Sequence, residues 1–163
     1  TTYALLCGCP LDAIRRVLAT FSGLEHALEI VRERRGVRYV NDSKGTNVDA
    51  TLKAIESINQ PIWLIAGGRD KGGDFSRLAP AIRQRVKGLI LIGEATPLIV
   101  QAMVGFPAIS LAASLKEAVQ AAADSATSGG VVLFSPACAS FDMFADYQDR
   151  GRQFKALVQS LPA

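Results

Sequence analysis

Three short, uninterrupted apolar runs mark the chain: "PIWLIAGG" at 61–68, "GLILIG" at 88–93 and "GGVVLFS" at 129–135. Runs of that length without polar alternation suit strands covered on both faces, as in a parallel sheet. Two more strands are predicted at "LEIVRE" (28–33) and "VRYVN" (37–41), joined by a turn at "RRG". The stretches between them carry helical spacing. Leu52, Ile55 and Ile58 share one face of "VDATLKAIESI" (48–58), and further helices are expected over 76–86, 95–104, 113–127 and 142–159. Residues 1–20 also read as helical, broken at "CGCP" and restarting behind Pro10, and "FSGLEH" (21–26) reads as a linker. Alternating strands and helices predict an α/β fold: a doubly wound, mostly parallel, Rossmann-like sheet of about six strands with helices on both faces. Right-handed crossovers then bring the strand-to-helix loops to the carboxyl edge of the sheet, where such folds bind ligands.

Composition narrows the function. The 163 residues are 49% apolar and 20% charged, enough for one ordinary core. The net charge of +3 is mild, and no Lys/Arg block interleaves with aromatics, so nucleic acid is not an expected partner. The densest basic run, "RERRGVR" (32–38), reads as a solvated strand edge or turn. Cys7, Cys9 and Cys138 with the single His26 make no metal-ligand pattern, and an odd cysteine count fits a reducing compartment. No run approaches membrane-spanning length, and no signal peptide is visible, so a cytoplasmic protein without membrane contact is expected. The start at "TTYALLCG", without Met, reads as a chain entered in mid-course.

Three strand exits are chemically loaded: "NDSKGTN" (41–47), "GGRDKGGDFS" (67–76) and "SPACASFDMF" (135–144). They offer Lys44, Arg69 and Lys71 as cations, Thr46, Ser135 and Ser140 as hydroxyls, and Asp42, Asp70, Asp74 and Asp142 as carboxylates. Their glycines let backbone N–H groups approach a ligand, and the set suits an anion. The exit "GEATP" after 93 looks bland. Neither G-x-G-x-x-G nor G-x-x-x-x-G-K-[ST] occurs, so no phosphate cradle is complete within the chain. On residues alone, Asp42 reads either as a turn brace or as a ligand group, Lys44 as solvated or functional, and Ser140 as an N-cap for the last helix or a ligand contact. Cys138 reads as a packed small residue, since no His or G-x-S-x-G accompanies it. His26 reads by default as a structural residue.

"GLEH", "VNDSKGTNVDATLKAI", "GGRDKGGDFS" and "LFSPACASFDMFADYQDRGRQF", in this order and spacing, resemble the carboxyl-terminal domain of the Mur ligases. The resemblance runs from about residue 21 to the end. It implies two pieces: residues 1–24 as the closing helices of a central ATPase domain with the linker, and residues 25–163 as an amino-acid-binding ligase domain. The implied activity is ATP-dependent addition of D-glutamate to UDP-N-acetylmuramoyl-L-alanine through an acyl phosphate, in a monomeric enzyme using ATP and Mg2+. ATP and the acceptor would be held by domains outside this chain, which would bind no cofactor and be inactive alone. By motif position, Lys44 resembles the catalytic lysine near the phosphates and the acyl group. Thr46 and Lys71 resemble the pair on one carboxylate of D-glutamate. Ser140, Phe141 and Tyr147 resemble the pocket for the other. Asp42, His26 and Arg150 resemble nucleotide contacts. The family commonly has Arg directly after the linker His; here that position is Ala27. Readings that stay open are another Mur or folylpolyglutamate ligase domain, and a doubly wound binding module without chemistry.

Overall fold

The computed structural model describes residues 2–21 and 23–162. Six strands form one sheet: β1 (Glu29–Arg34), β2 (Val37–Asn41), β3 (Ile62–Gly67), β4 (Val86–Ile92), β5 (Ile109–Leu111) and β6 (Val131–Phe134), in the order β1-β2-β6-β3-β4-β5. All neighbours run parallel except the β1–β2 hairpin. Among the described residues, seven α-helices and a 3-10 turn (Phe75–Leu78) accompany them: α1 (Thr2–Leu6), α2 (Leu11–Thr20), α3 (Val48–Ser57), α4 (Ala79–Arg85), α5 (Thr96–Ala102), α6 (Leu115–Ser125) and α7 (Tyr147–Ser160).

Alternation along the buried strands divides the core into two layers. In β3, Ile62, Leu64 and Ala66 face α3, α4 and α5, packing with Ile55, Ile82 and Ile99. Trp63 and Ile65 face α6 and α7, packing with Val119 and Phe154. Side chains this well buried each contribute about 1.5–3 kcal/mol, so both faces need their helices. β3 and β6 are buried along their whole lengths, which is why their sequences show no polar alternation.

Several expectations are corrected. β5 was not among the runs read from the sequence. It is a three-residue edge strand, only Ile109 of which is half-buried, so no apolar run marks it. The last helix begins at Tyr147, not near 142, and its N-cap is Asp146, whose carboxylate accepts the Asp149 N–H at 2.6 Å. Ser140 therefore does not cap it; its carbonyl accepts the N–H groups of Met143 and Phe144 in a preceding turn. The basic run is also more than a solvated edge. Although β1 is an edge strand, Arg32 Nη1 donates to the carbonyls of Val158, Gln159 and Leu161 at 3.2, 3.0 and 2.9 Å, capping the carboxyl end of α7. Arg34 reaches the Pro162 carbonyl beside it.

The amino-terminal helices differ in kind. α1 buries no residue and α2 buries only Ile14, leaving Tyr3, Leu6, Val17 and Leu18 exposed. Among the described residues no helix or strand lies between Thr20 and Glu29, a stretch that includes the expected linker at 21–26; Thr1, Ser22 and Ala163 fall outside the described residues. No described helix is long and apolar enough to cross a membrane.

Candidate functional site: the carboxyl rim of β2, β6 and β3

The three loaded loops leave adjacent parallel strands, so topology alone sets them side by side. The loop after β6 is the hub. Its Ala137 N–H donates to Gly45 O at 2.9 Å on one side. On the other, Arg69 and Ala139 exchange both backbone hydrogen bonds at 3.0 Å. Gly67 N–H donates to Pro136 O at 2.8 Å. Backbone pairing of this kind fixes loop against loop without consuming side chains.

Thr46 and Lys71 line one cleft of about 540 Å³, together with Ala137, Asp49, Asp70, Asp74 and Arg77. Its acids are already engaged. Asp49 pairs with Arg77 at 2.6 Å, Asp70 accepts the Gly73 N–H at 2.9 Å, and Asp74 accepts from Ser76 N–H and Oγ. Lys71 is exposed and, like Lys44, takes part in no ion pair among the described residues. Asp70 and Asp74 likewise take part in no ion pair among the described residues, so the cleft offers charges of both signs. Asn47 caps α3 by accepting the Ala50 N–H at 2.9 Å, so the amino end of that helix also borders the cleft.

Ser140, Phe141 and Tyr147 follow on the hub loop but do not line that cleft. Ser140 is buried and Phe141 exposed. Tyr147 is half-buried, with its ring edge-on to His26 at 6.4 Å between centroids. Lys44 also stands outside the lining of the cleft.

Asp42 is buried, with Oδ1 accepting from Leu28 N–H at 3.2 Å and Oδ2 from Ser135 Oγ at 2.6 Å. Ser135 is bonded in turn to Thr51 at 2.9 Å. Burial raises the Asp42 pKa, and these two donors offset part of that rise. In this structure its carboxylate braces the β2 and β6 exits. A Cβ on Gly45 would come within 2.6 Å of both Asp42 Oδ2 and Ser135 Oγ, so a larger residue there would push this hydrogen-bonded pair aside.

The nucleotide contacts expected of His26 and Arg150 find no open side chain. His26 is 2% exposed, and its Nδ1 accepts from the Asn41 amide at 2.9 Å; Asn41 Oδ1 takes the Ser43 N–H, which fixes that amide's orientation. Arg150 is 1% exposed, and its guanidinium is committed to Ser43 and Cys138. Burial lowers its pKa to about 10, leaving it charged at neutral pH. Glu25, His26 and Glu29 come close enough to hold a metal ion, but Lys155 already bridges the two carboxylates at 3.0 and 2.6 Å. Cys138 is buried, which pushes its thiol up to about 12 and makes it inert as a nucleophile.

Two groups escaped the sequence reading. Glu94, in the exit that looked bland, makes a bidentate pair with Arg69 at 3.0 Å per bond, so Arg69 is not a free cation. The Glu94 N–H donates to Asp142 Oδ2 at 3.1 Å, which brings the β4 exit into the same assembly. Ser43, between Asp42 and Lys44, is fully buried. Its place in the short exit of a buried strand, two residues beyond Asn41, was the one available signal.

The fold and rim define a doubly wound α/β domain whose chemically loaded strand exits gather along one edge of the sheet. The sequence profile of the family described as Mur ligase, glutamate ligase domain, matches residues 28–138. The chain belongs to this family. It is 49% identical over 157 residues, covering 96% of this chain, to a UDP-N-acetylmuramoylalanine–D-glutamate ligase of Geotalea uraniireducens. It is also 49% identical over 150 residues, covering 92% of this chain, to the ligase of the same name from Chlorobaculum parvum. The chain spans 35% and 32% of those two relatives, about a third of their length. Among solved structures, a UDP-N-acetylmuramate–alanine ligase of Thermotoga maritima superposes with a TM-score of 0.69 at 16% identity, covering 98% of this chain and 36% of that one. A bifunctional folylpolyglutamate synthase/dihydrofolate synthase of Yersinia pestis gives 0.65 at 15%, covering 92% and 35%. At those identities the likeness is one of fold.

Proposed function

We propose that this chain is the carboxyl-terminal, amino-acid-binding domain of a cytoplasmic, monomeric ligase that joins D-glutamate to UDP-N-acetylmuramoyl-L-alanine in peptidoglycan synthesis. In this reading residues 1–24 are the end of a central ATPase domain with the linker, and residues 25–163 are the binding domain. ATP, with Mg2+, supplies activation of the acceptor carboxyl from parts of the enzyme outside this chain, so the chain alone is inactive.

What supports the reading is the cleft where Thr46 and Lys71 meet, its lysine exposed and in no ion pair among the described residues. A dicarboxylate needs charge-assisted donors, each worth about 1.5–3 kcal/mol. Lys71 and Thr46 take one carboxylate. Ser140, the Phe141 N–H and the turn before Tyr147 take the other. Anchoring both ends orients the amine toward the acceptor carboxyl, and the ammonium of Lys44 stabilises the negative charge that develops there as the amide forms. A diamino acid would instead set its distal ammonium against Asp70 or Asp74, neither of which is in an ion pair among the described residues, and the choice of amino acid separates the two readings.

An assay of the full-length enzyme with ATP, the acceptor and a panel of amino acids tests this. D-glutamate is expected to be incorporated at least about 100-fold more efficiently than L-lysine or meso-diaminopimelate, since each misplaced charge forfeits a charge-assisted contact. Preferred incorporation of either diamino acid would overturn the reading.

A further inference from the structure

Arg150 poses a problem that the proposed chemistry does not solve. A guanidinium 1% exposed, with no ion pair among the described residues, carries a large desolvation cost, offset here by its hydrogen bonds and by the Phe134 ring, whose centroid lies 5.9 Å from Cζ.

Its bonds show what the charge is used for. Nε donates to Ser43 Oγ at 3.0 Å and Nη2 to Ser43 O at 2.9 Å. Nη1 donates to Cys138 O at 3.1 Å. Ser43 immediately precedes Lys44, and Cys138 lies two residues before Ser140. One planar cation therefore ties two of the three loaded strand exits together, and the third runs close beside it, since a Cβ added at Gly68 would come within 3.3 Å of Arg150 Nη1.

The peptide bond between Ser43 and Lys44 is fixed at both of its polar groups. Its carbonyl accepts from Arg150, and its N–H donates to the His26 carbonyl at 3.0 Å. A peptide plane held from both sides has no freedom to rock about its flanking torsions, so the Cα–Cβ direction of Lys44 is set. Ser43 Oγ completes the set by donating to Tyr147 O at 2.8 Å.

We propose that Arg150 is a positioning residue for the amino-acid half of the site, fixing the Ser43–Lys44 peptide plane against the Ser140 loop, and is not a nucleotide contact. The inference rests on the ligase reading above. A lysine cannot reproduce the role, since one ammonium cannot span two acceptors on Ser43 and a third on Cys138 in a single plane.

The test uses the full-length enzyme with steady-state kinetics in both substrates. Arg150→Lys is expected to lower kcat by roughly 100-fold, the loss that follows a displacement of about 1 Å. The KM for D-glutamate should rise by about ten-fold or more, while the KM for ATP stays within about two-fold. Ser43→Ala, which keeps the carbonyl and removes only the hydroxyl, should shift the same two constants in the same direction by a smaller factor. The double variant should be no worse than Arg150→Lys within about two-fold, because both act through one contact. If Arg150→Lys fails to accumulate as folded protein, Ser43→Ala decides alone. Wild-type constants, a raised KM for ATP alone, a fall in kcat with both KM values unchanged, or effects that multiply in the double variant would each overturn the inference. A wild-type enzyme that does not add D-glutamate would instead sink the ligase reading itself.

Discussion

Replacing Lys44 by Ala in the full-length enzyme is expected to lower kcat by about 10³-fold while leaving the fold intact. The catalytic expectation follows from the role of an ammonium beside a carboxyl gaining negative charge. Removing one such preorganised electrostatic group typically lowers turnover by roughly 10²–10³-fold. The structural expectation follows from the surroundings of the side chain. Lys44 is exposed and makes no ion pair among the described residues, and its fixed backbone is untouched by truncation. Surface changes of that kind stay within about 0.5 kcal/mol. Thermal unfolding of the purified variant checks the second expectation and single-turnover kinetics the first. Unchanged turnover would remove Lys44 from the chemistry and favour a binding module without catalysis.

Gly67→Ala is expected to give the largest loss of stability. Gly67 closes β3 at φ +117°, a conformation that side chains with a Cβ rarely adopt. An added Cβ would lie 1.9 Å from the Ile92 carbonyl oxygen of the neighbouring strand, so backbone must move. Forcing such a conformation contributes roughly 1–3 kcal/mol, and displacing packed backbone a comparable amount. A loss of about 3 kcal/mol or more is expected in urea unfolding of the 163-residue chain. The same shift moves Gly67 N–H off Pro136 O, which loosens the β3 exit that leads to Lys71. A loss below about 1 kcal/mol would contradict this picture of the rim.

How much of this was legible in the sequence depended on what determines each feature. The central strands declared themselves because burial on both faces demands unbroken apolar runs, as in "IWLIAG". β5 did not, because an edge strand with half-buried Ile109 and exposed Leu111 makes no such demand. Gathering of the three loops was likewise legible, since parallel topology delivers successive exits to one edge. The identity of the free charges was not. Lys71 and Arg69 look alike in "GGRDKGG", yet Arg69 is taken by Glu94, a residue 25 positions away. The structural default for His26 was legible, whereas the nucleotide contacts that the resemblance implied for His26 and Arg150 meet side chains turned inward, because burial of a polar side chain is set by partners distant in sequence. Ser43 was passed over for the same reason: its flanking Asp42 and Lys44 carried the visible charge.

A titration of D-glutamate against full-length Lys71→Ala, at saturating ATP and acceptor, tests most directly whether the cleft at Thr46 receives a carboxylate of the substrate. Loss of one charge-assisted contact should raise the KM for D-glutamate by roughly 10- to 100-fold, with the KM for ATP unchanged. A KM for D-glutamate equal to that of the wild type would contradict it.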